Sequence, residues 1–429
     1  MDEKINRQIT QLNADNCEDR LNALRQLRKW IDDGTIPAVK QNHECNNHVH
    51  SRYSFSPYSP SGIAWKAYQT GLSTCGLMDH ESVAGAAEFR EACHIMGIAP
   101  TIGFEVRLNW DDTPLRGQKF NNPDQLSVGY FPVHGVPTTS LEAVEAYLKP
   151  IRRARERRNR QMTGRVDEIL RPFGMELDFD RHVIPVSWWR EKGSITERHI
   201  LYAAGRQMTK RYGRGSGLLR FLQEDLGIPV TDKVAGYLTD GKNPCYDFDL
   251  TNLLKGYFSE KMYIPANHEE APDVREAIPY IQSLGCIPTY TYVGDVTGES
   301  VTGDKKVQRF EDGILDDLFF CLDQYDVRAF SYAPARNTPE QLARVQRLCA
   351  KYNMLEVLGE DINQPRQPFI NTALGAEEKK RFDTATWAVI GHEKAAAREL
   401  SEGMFGAGAV ERFPDIADRA AHFAALGHK

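Results

Sequence analysis

The sequence predicts an α/β protein, with a parallel sheet or barrel that is interrupted by a block of helices. Short apolar runs alternate with helical segments from about residue 44, which is the pattern of βαβ units. The alternation stops over residues 138–262, where long charged helices follow one another. It resumes near residue 263 and gives way to a helical tail from about residue 371.

Composition narrows the class of protein. The chain has 429 residues, 41% hydrophobic and 26% charged, which is ordinary for a globular protein with a sizeable core and an insertion. A net charge of −6 gives no strong sign of polymeric nucleic acid as a partner. The N-terminus lacks the apolar core of a signal peptide, and no apolar run is long enough for a membrane span. Eight scattered cysteines without a CxxC pair indicate reduced thiols. We therefore expect a cytoplasmic protein, and nothing in the sequence predicts its oligomeric state.

Residues 1–43 are predicted to form a helical N-terminal extension. Apolar residues three and four apart indicate a helix that ends near Gly34. No chemistry is predicted for this part of the chain.

Residues 44–137 are predicted to form the first part of the sheet or barrel. "NNHVH", "STCGLMDH" and "IAPTIGFEVRL" read as strands, and the two segments between them read as helices. The first of these helices opens with Ser and Pro and closes at Gly71.

The remaining chain divides into a helical insertion (138–262), a second α/β part (263–370) and a helical C-terminal extension (371–429). The tail contains His392, His422 and His428, which are predicted to be surface residues.

His48 and His50 are separated by one residue on a predicted strand. Side chains alternate across a strand, so both imidazoles point to one side and Val49 points to the other. Two neighbouring imidazoles are the natural first half of a metal site. The HxH pattern alone is weak evidence, and two surface histidines are the alternative.

Further acidic and imidazole side chains follow other predicted strands. Sites in α/β proteins assemble where the carboxyl ends of strands meet. A single acidic residue there is usually a helix cap, but five such positions together favour a metal centre. These positions are Asp79, His80, Glu105, His134 and Asp361.

The motifs in residues 44–137 and 263–370 resemble the PHP (polymerase and histidinol phosphatase) superfamily of metal-dependent phosphoesterases. The likeness rests on "NNHVHSRYSFS", "GLMDHESVAG", "GIAPTIGFEV", "EAIPYIQSLGCIPTYTYVG" and "NMLEVLGEDINQP" in this order. The resemblance implies a distorted (β/α)7 barrel with a di- or trinuclear centre of divalent ions, such as Mn, Fe or Zn.

The insertion is similar to that of superfamily members resembling 3′,5′-nucleoside bisphosphate phosphatases. In those proteins, an Arg-x-x-Arg helix and an Arg-Pro-His-type helix start help to enclose a nucleotide. The resemblance implies Arg155, Arg158, Arg198 and His199 as substrate contacts. A solvated basic helix face is the alternative for the arginine-rich stretch.

Some usual ligands of the superfamily are replaced. Asn46 stands in place of an Asp, and Phe55 or Ser56 stands in place of an Asp or His. Tyr292 and Asn363 each occupy the place of a histidine. Neutral Tyr and Asn are poor ligands for hard divalent ions.

The surviving set allows two metal subsites. His48, His50, Glu105 and Asp361 are expected around one ion, and His80, Glu105 and His134 near another. Asn363 is retained as a weak candidate ligand. Asp295 and His268 are candidates to substitute for the lost groups.

Three functions are consistent with these residues. The first is a metal-dependent hydrolase of a small phosphate ester, either a nucleotide or another phosphomonoester. The second is a catalytically silent metal- or nucleotide-binding protein, which the replaced ligands favour. The third is a metal-dependent hydrolase of a non-phosphate substrate, because a barrel alone does not fix the chemistry.

Overall fold

Six strands form one curled sheet at the centre of the computed structural model, which describes residues 3–296, 309–371 and 374–429. The strands are neighbours in the order of the chain. They are β1 (Thr74–His80), β2 (Ala99–Asn109), β3 (Val128–His134), β4 (Ile287–Tyr292), β5 (Ala329–Tyr332) and β6 (Leu355–Leu358).

An extended segment, residues 46–50, lies between the two edges of this sheet. Val49 forms parallel bridges with Leu77 on one side and Ile362 on the other. The His50 amide donates to the Ile362 carbonyl at 2.9 Å, and the Val49 amide donates to the Gly76 carbonyl at 3.2 Å. The segment was predicted as a strand and pairs through isolated bridges. It supplies the seventh position of the barrel, so the predicted distorted (β/α)7 fold with helical additions is confirmed.

Strand β3 corrects the prediction of an all-parallel sheet. It runs antiparallel to both β2 and β4, whereas the other paired strands are parallel. Residues 110–127, which join β2 to β3, contain no helix. Parallel neighbours need a crossover of a dozen or more residues, usually helical, whereas antiparallel neighbours do not. His134 therefore ends a strand that runs against its neighbours, beside Ile287 at the start of β4.

Helices cover the outside of the barrel. Ser59 caps the first barrel helix by accepting the Gly62 amide at 2.9 Å, and Pro60 supplies the first helical residue. Preceding and surrounding the barrel are α1 (Glu3–Gln11), α2 (Cys17–Asp32), α3 (Pro60–Gln69) and α4 (Ala86–Met96).

The insertion has an apolar core of its own. Its helices are α5 (Leu141–Leu170), α6 (Glu197–Tyr212), α7 (Ser216–Arg220), α8 (Asp232–Thr239) and α9 (Tyr246–Met262). The first half of α5 packs on the barrel core through Val144 and Leu148. Its second half joins the separate core through Met162 and Val166. Helix α5 is therefore the physical link between the barrel and the insertion.

The second half of the barrel is flanked by α10 (Val274–Ser283), α11 (Leu315–Gln324) and α12 (Pro339–Lys351). The C-terminal extension contains α13 (Ala376–Ala396), α14 (Ala407–Arg412) and α15 (Ile416–Gly427). Within the described ranges, no helix is both long and apolar enough to cross a membrane.

Helix α13 packs on the barrel with buried polar groups. The Glu393 carboxylate accepts the Thr101 hydroxyl at 2.5 Å and the Ile102 amide at 2.7 Å. The prediction that His392 is a surface residue is wrong, because its side chain is 3% exposed. Its ring bonds the Gly285 carbonyl at 2.7 Å and accepts the Met404 amide at 2.9 Å. Burial lowers the pKa of His392 to about 4.

Gly391 sets the close approach of α13 and α15, because a Cβ there would overlap the Phe423 carbonyl oxygen. We expect Gly391→Ala to lower the free energy of unfolding by about 1–3 kcal/mol through overpacking. Gly164→Ala in α5 is the matched control, because a Cβ at Gly164 meets open space. That variant should gain up to about 1 kcal/mol from helix propensity. Urea denaturation of both variants measures the difference, and equal stability would contradict the prediction.

Candidate metal centre

The segment 46–50 presents two histidines to the inside of the barrel. The Nε2 atoms of His48 and His50 lie 3.2 Å apart, and both rings are buried. Val49 points into the apolar core. The alternation of side chains along an extended segment produces this arrangement.

Asp361 completes a first group of potential ligands. It follows β6, and its Oδ1 lies 3.3 Å from His50 Nε2. His48, His50 and Asp361 together form a cluster with the spacing of a metal site. The Asp361 side chain is 34% exposed, so this group opens to solvent.

A second group contains His80, Glu105 and again His50. His80 ends β1, and its Nδ1 lies 2.8 Å from Glu105 Oε2 on β2. Glu105 Oε1 is 3.7 Å from His48 Nε2, so this carboxylate faces both groups. The groups differ from the predicted subsites in that His50, and not Glu105, is common to both.

The donor atoms fit a divalent ion. Two ligands about 2.1 Å from an ion are about 3.0–3.4 Å apart at octahedral or tetrahedral angles. The 3.2 Å separation of the two Nε2 atoms lies in this range. Imidazole and carboxylate together suit Zn, Fe and Mn. The residues present therefore fit the metal that the sequence predicts.

The electrostatics of the groups favour ligand-competent carboxylates. Burial raises the pKa of Glu105, but the neighbouring His80 and His48 outweigh burial and lower that pKa to about 2. Burial lowers the pKa of His48 to about 4, which leaves a neutral imidazole. Burial also lowers the pKa of His50, but Asp361 outweighs it and the pKa of His50 is raised. A proton therefore competes with an ion at His50.

His134 lies outside both groups of potential ligands. The preceding residue, Val133, pairs with Phe104, and Pro132 pairs with Glu105, so His134 lies beyond Glu105 towards the start of β2. Burial and the nearby His48 lower the pKa of His134 to about 3, and its Nε2 is buried without a hydrogen-bond partner among the described residues. Its role as a ligand stays a prediction.

Asp79 is turned away from the ligand groups. Its carboxylate accepts the Ser51 amide at 2.7 Å, the Ser51 hydroxyl at 2.6 Å and the Ser54 hydroxyl at 2.7 Å. The Ser54 oxygen in turn lies 3.1 Å from His50 Nδ1. Asp79 therefore orients the His50 ring through Ser54. Neither serine was predicted as part of the site, although "HSRYS" places both directly after the histidines.

A family model of the PHP domain matches residues 46–181, the region that contains His48, His50, His80, Glu105 and His134. This part of the chain is therefore a PHP domain.

Known proteins resemble this chain in part of its sequence or in its fold. A 5′-3′ exoribonuclease from Haemophilus influenzae is 34% identical over 64 residues, which is 15% of this chain and only 23% of that protein. A proposed metal-dependent phosphoesterase from Bifidobacterium adolescentis has the same fold at 17% identity, with a TM-score of 0.52 over 81% of this chain and 97% of that one. An amidohydrolase from Chromobacterium violaceum, solved with sulfate and no metal, is also 17% identical, with a TM-score of 0.50 over 79% and 96% of the two chains. The PHP domain and the ligand groups support a metal-dependent hydrolase.

Two of the positions where the chain departs from the usual PHP ligands brace the site. The Asn46 amide donates to the Glu360 carbonyl at 2.8 Å, and its oxygen accepts the His48 amide at 3.0 Å. Asn363 donates to Asp361 Oδ1 at 2.8 Å and so orients this carboxylate. Its buried Oδ1 has no hydrogen-bond partner among the described residues.

The other departures from the PHP pattern have structural contacts. The Tyr292 hydroxyl donates to Asp312 Oδ1. Phe55 packs against the rings of His199, Tyr202 and Phe248. Ser56 accepts the Tyr58 amide at 3.3 Å.

Neither candidate substitute belongs to a ligand group among the described residues. Asp295 accepts the Phe310 and Glu311 amides, each at 2.8 Å, and His268 is exposed.

Arg155 and Arg158, expected to contact a substrate, donate instead to carboxylates of the protein itself. Arg155 bonds Glu81 at 2.7 and 2.6 Å and Glu197 at 2.6 Å. Arg158 bonds Glu270 at 2.6 and 2.8 Å and also Glu197. Both guanidinium groups therefore form ion pairs within the protein. Neither the predicted substrate contact nor the alternative, a solvated basic helix face, describes them.

Arg198 and His199 differ in their surroundings. Within the described part of the chain, the one hydrogen-bond partner of the Arg198 side chain is Asn252 at 3.3 Å. Burial lowers the pKa of Arg198, and the Asp361 charge opposes that effect. His199 is buried, accepts the Thr196 amide at 3.0 Å and has its pKa lowered to about 3 by burial. Arg198 is therefore an available cation near Asp361, whereas His199 is a neutral, packed ring.

Two further cations lie in the electrostatic environment of Arg198. Lys255 is on α9, and Arg336 follows β5. The Arg198 charge, together with desolvation, lowers the pKa of Lys255 to about 8, and Asp361 opposes it. No sequence pattern indicates these two residues, because only the packing of α6 on α9 and the closure of the barrel bring them near Arg198.

Proposed function

We propose that this PHP protein is a metal-dependent hydrolase of a small phosphate ester, either a nucleotide or another phosphomonoester. The observation that carries the proposal is an available cation, Arg198, near the carboxylate of Asp361 in the first ligand group. Lys255 and Arg336 add positive charge to the same region. A site with ion ligands on one side and cations on the other suits a phosphate ester.

The ligand groups define what each residue holds. His48, His50 and Asp361 would hold one ion, and His80 and Glu105 would hold ligand positions of a second. His50 Nδ1 contacts Ser54, so its single remaining nitrogen serves one ion at a time. Divalent ions, of which Mn, Fe and Zn suit these donors, supply Lewis acidity and an acidified water when bound.

The cations of the insertion bind and orient the substrate in this proposal. The planar guanidinium of Arg198 can present two parallel N–H donors to phosphate oxygens. Lys255 contributes a point charge. Because both side chains belong to the insertion, the insertion selects the substrate while the barrel holds the ions.

Metal analysis and a substrate panel test the proposal. The purified protein is analysed for bound Mn, Fe and Zn, then assayed with nucleotides, sugar phosphates, amides and lactones in the presence of each ion. Stoichiometric metal with turnover of phosphate esters supports the proposal. Metal-free protein that stays inactive with every added ion would contradict the proposed function.

The replaced ligands favour a second candidate, a catalytically silent metal- or nucleotide-binding protein. The Tyr292 hydroxyl is engaged by Asp312 and so does not replace the usual histidine. Stoichiometric binding of an ion or a nucleotide without turnover of any substrate identifies this case. Turnover of an amide or lactone alone identifies a hydrolase of non-phosphate substrates.

Lys255 gives the proposed activity a pH dependence. Its pKa of about 8 lies below the ordinary value of 10.5, so the ammonium charge is present below pH 8 and is lost as the pH rises through that value. We expect kcat/KM for a phosphate ester to fall above about pH 8, because this profile reports groups of the free enzyme. Lys255→Met should lower kcat/KM by about 10-fold near pH 7, because one charge-assisted hydrogen bond to the substrate is lost. In this variant, kcat/KM should no longer fall as the pH rises above about 8.

The exposed Lys261 on the same helix provides the control. Lys261→Met should keep both the activity and the pH profile of the unmodified protein. If kcat/KM of Lys255→Met still falls as the pH rises above about 8, the fall is not caused by Lys255.

A further inference from the structure

A buried arginine–glutamate network joins the barrel to the insertion next to the second ligand group. Its three guanidinium groups and three carboxylates balance in charge, and most of its side chains are at most 5% exposed. The members are Glu81, Arg107, Arg155, Arg158, Glu197 and Glu270.

We infer that Glu81 and Arg155 are positioning residues that hold His80 against Glu105, so that the insertion sets the geometry of the second ligand group. The inference rests on the proposed metal centre. It concerns the site's geometry and ion affinity, and not the identity of the substrate.

Glu81 directly follows His80 and has an unusual backbone conformation. Its φ is +44°, in the left-handed region that residues other than glycine rarely adopt. Its amide donates to the Glu105 carbonyl at 2.8 Å, and its carbonyl accepts Arg152 at 2.7 Å. Strained backbone conformations of this kind persist only where many surrounding contacts hold them, and they are common at functional sites.

The Glu81 side chain connects this turn to the insertion. Its carboxylate accepts two bonds from Arg155, at 2.7 and 2.6 Å, and one from the Ser194 hydroxyl at 2.7 Å. Arg155 lies on α5 and also bonds Glu197 at the start of α6. The turn after His80 is therefore connected by these hydrogen bonds to two helices of the insertion.

The neighbouring strand β2 is also connected to this network by ion pairs. Arg107 lies two residues after Glu105 on β2 and pairs with Glu270 and, at 3.6 Å, with Glu197. Both residues of the 2.8 Å His80–Glu105 contact are thus followed closely by a member of the network. Outer partners that orient metal ligands in this way affect ion affinity as well as stability.

The test compares two double variants of the full chain. Glu81→Gln/Arg155→Met removes opposite buried charges together and leaves no lone charge from this pair. Arg160→Met/Asp180→Asn is the control, because it removes a solvent-exposed pair that begins on the same helix α5. The affinity for Mn²⁺ is measured by titration, and crystal structures of the metal-free proteins give the His80 Nδ1–Glu105 Oε2 distance.

We expect the Kd for Mn²⁺ to rise by about 10–100-fold in Glu81→Gln/Arg155→Met, and the 2.8 Å contact to open. The control should keep both values. A folded Glu81→Gln/Arg155→Met protein with unchanged affinity and an unchanged contact overturns the inference.

Two further outcomes, a protein that binds no ion and a double variant that does not fold, still allow a decision. If the unmodified protein binds no divalent ion, the proposed function fails, and the metal-free crystal structures still decide the inference. If the double variant does not fold, Arg155→Lys replaces it, because lysine keeps the charge but lacks the fork that bonds Glu81 twice. An opened contact in that variant supports the inference, and an unchanged contact overturns it.

Discussion

His48→Ala/His50→Ala is expected to abolish ion binding and turnover together. The two Nε2 atoms lie 3.2 Å apart and belong, with Asp361, to one ligand group, and His50 also belongs to the other. Removing an outer partner of a metal ligand costs about 10–100-fold in affinity, so the loss of two direct ligands should exceed about 100-fold. Metal analysis of the purified variant and kcat/KM with added Mn²⁺ measure the effect.

The matched control replaces two histidines outside the site. His94 and His268 are exposed, so His94→Ala/His268→Ala should keep both bound metal and activity. If the His48→Ala/His50→Ala protein folds and still binds the ion at unmodified affinity, the segment 46–50 is not the metal site. Circular dichroism and the thermal midpoint of both variants exclude loss of the fold as the cause.

Arg20→Met is expected to lower the free energy of unfolding by about 3–5 kcal/mol, the usual cost of leaving one charge of a buried pair alone. Arg20 on α2 donates to both oxygens of Glu88 on α4, at 2.9 and 2.5 Å. The two side chains are 2% and 3% exposed. Without Arg20, the Glu88 carboxylate keeps the Ser61 hydroxyl at 2.8 Å and the Ser61 amide at 3.1 Å. Urea denaturation gives the change.

Two comparisons make that measurement specific. Arg20→Met/Glu88→Gln removes both charges and should recover a large part of the loss. Arg25 is on the same helix as Arg20 and pairs with Glu18 and with Glu91 on α4, through side chains that are 43–64% exposed. Arg25→Met should therefore cost less than about 1 kcal/mol. Equal losses in Arg20→Met and Arg25→Met would show that the buried pair does not anchor the N-terminal helix. No role for this helix could be predicted from the sequence, because the ion-pair partner of Arg20 lies 68 residues further along the chain.

Local sequence patterns predicted the parts of the site that depend on one strand. The alternation of side chains placed His48 and His50 on one face, and strand ends located His80 and Asp361. Glu105 was expected to end its strand, but β2 continues to Asn109. These rules need only the period of a strand and the convergence of strand ends.

Pairing across the fold could not be predicted in the same way. Strand β3 reads like its neighbours, and its antiparallel direction follows from a connection without a helix. Arg155 looks like one residue of a basic helix, and only the packed structure brings it to Glu81. Asp79 ends a strand like the ligands do, but two nearby serine hydroxyls occupy its oxygens. Competition among partners that are distant in sequence decides each of these cases.

The isolated bridges of Val49 have a consequence for the lifetime of the site. Residues 46–50 close the barrel through one bridged residue on each side, whereas β1 and β2 pair along seven residues. The segment also makes three backbone hydrogen bonds to each of its two neighbours, and its five residues are at most 3% exposed. Because this segment carries both imidazoles, one local opening would remove them from the site together. The buried hydrogen bonds of this one segment therefore hold both imidazoles at once, so a variant that weakens them should shorten the lifetime of the whole site.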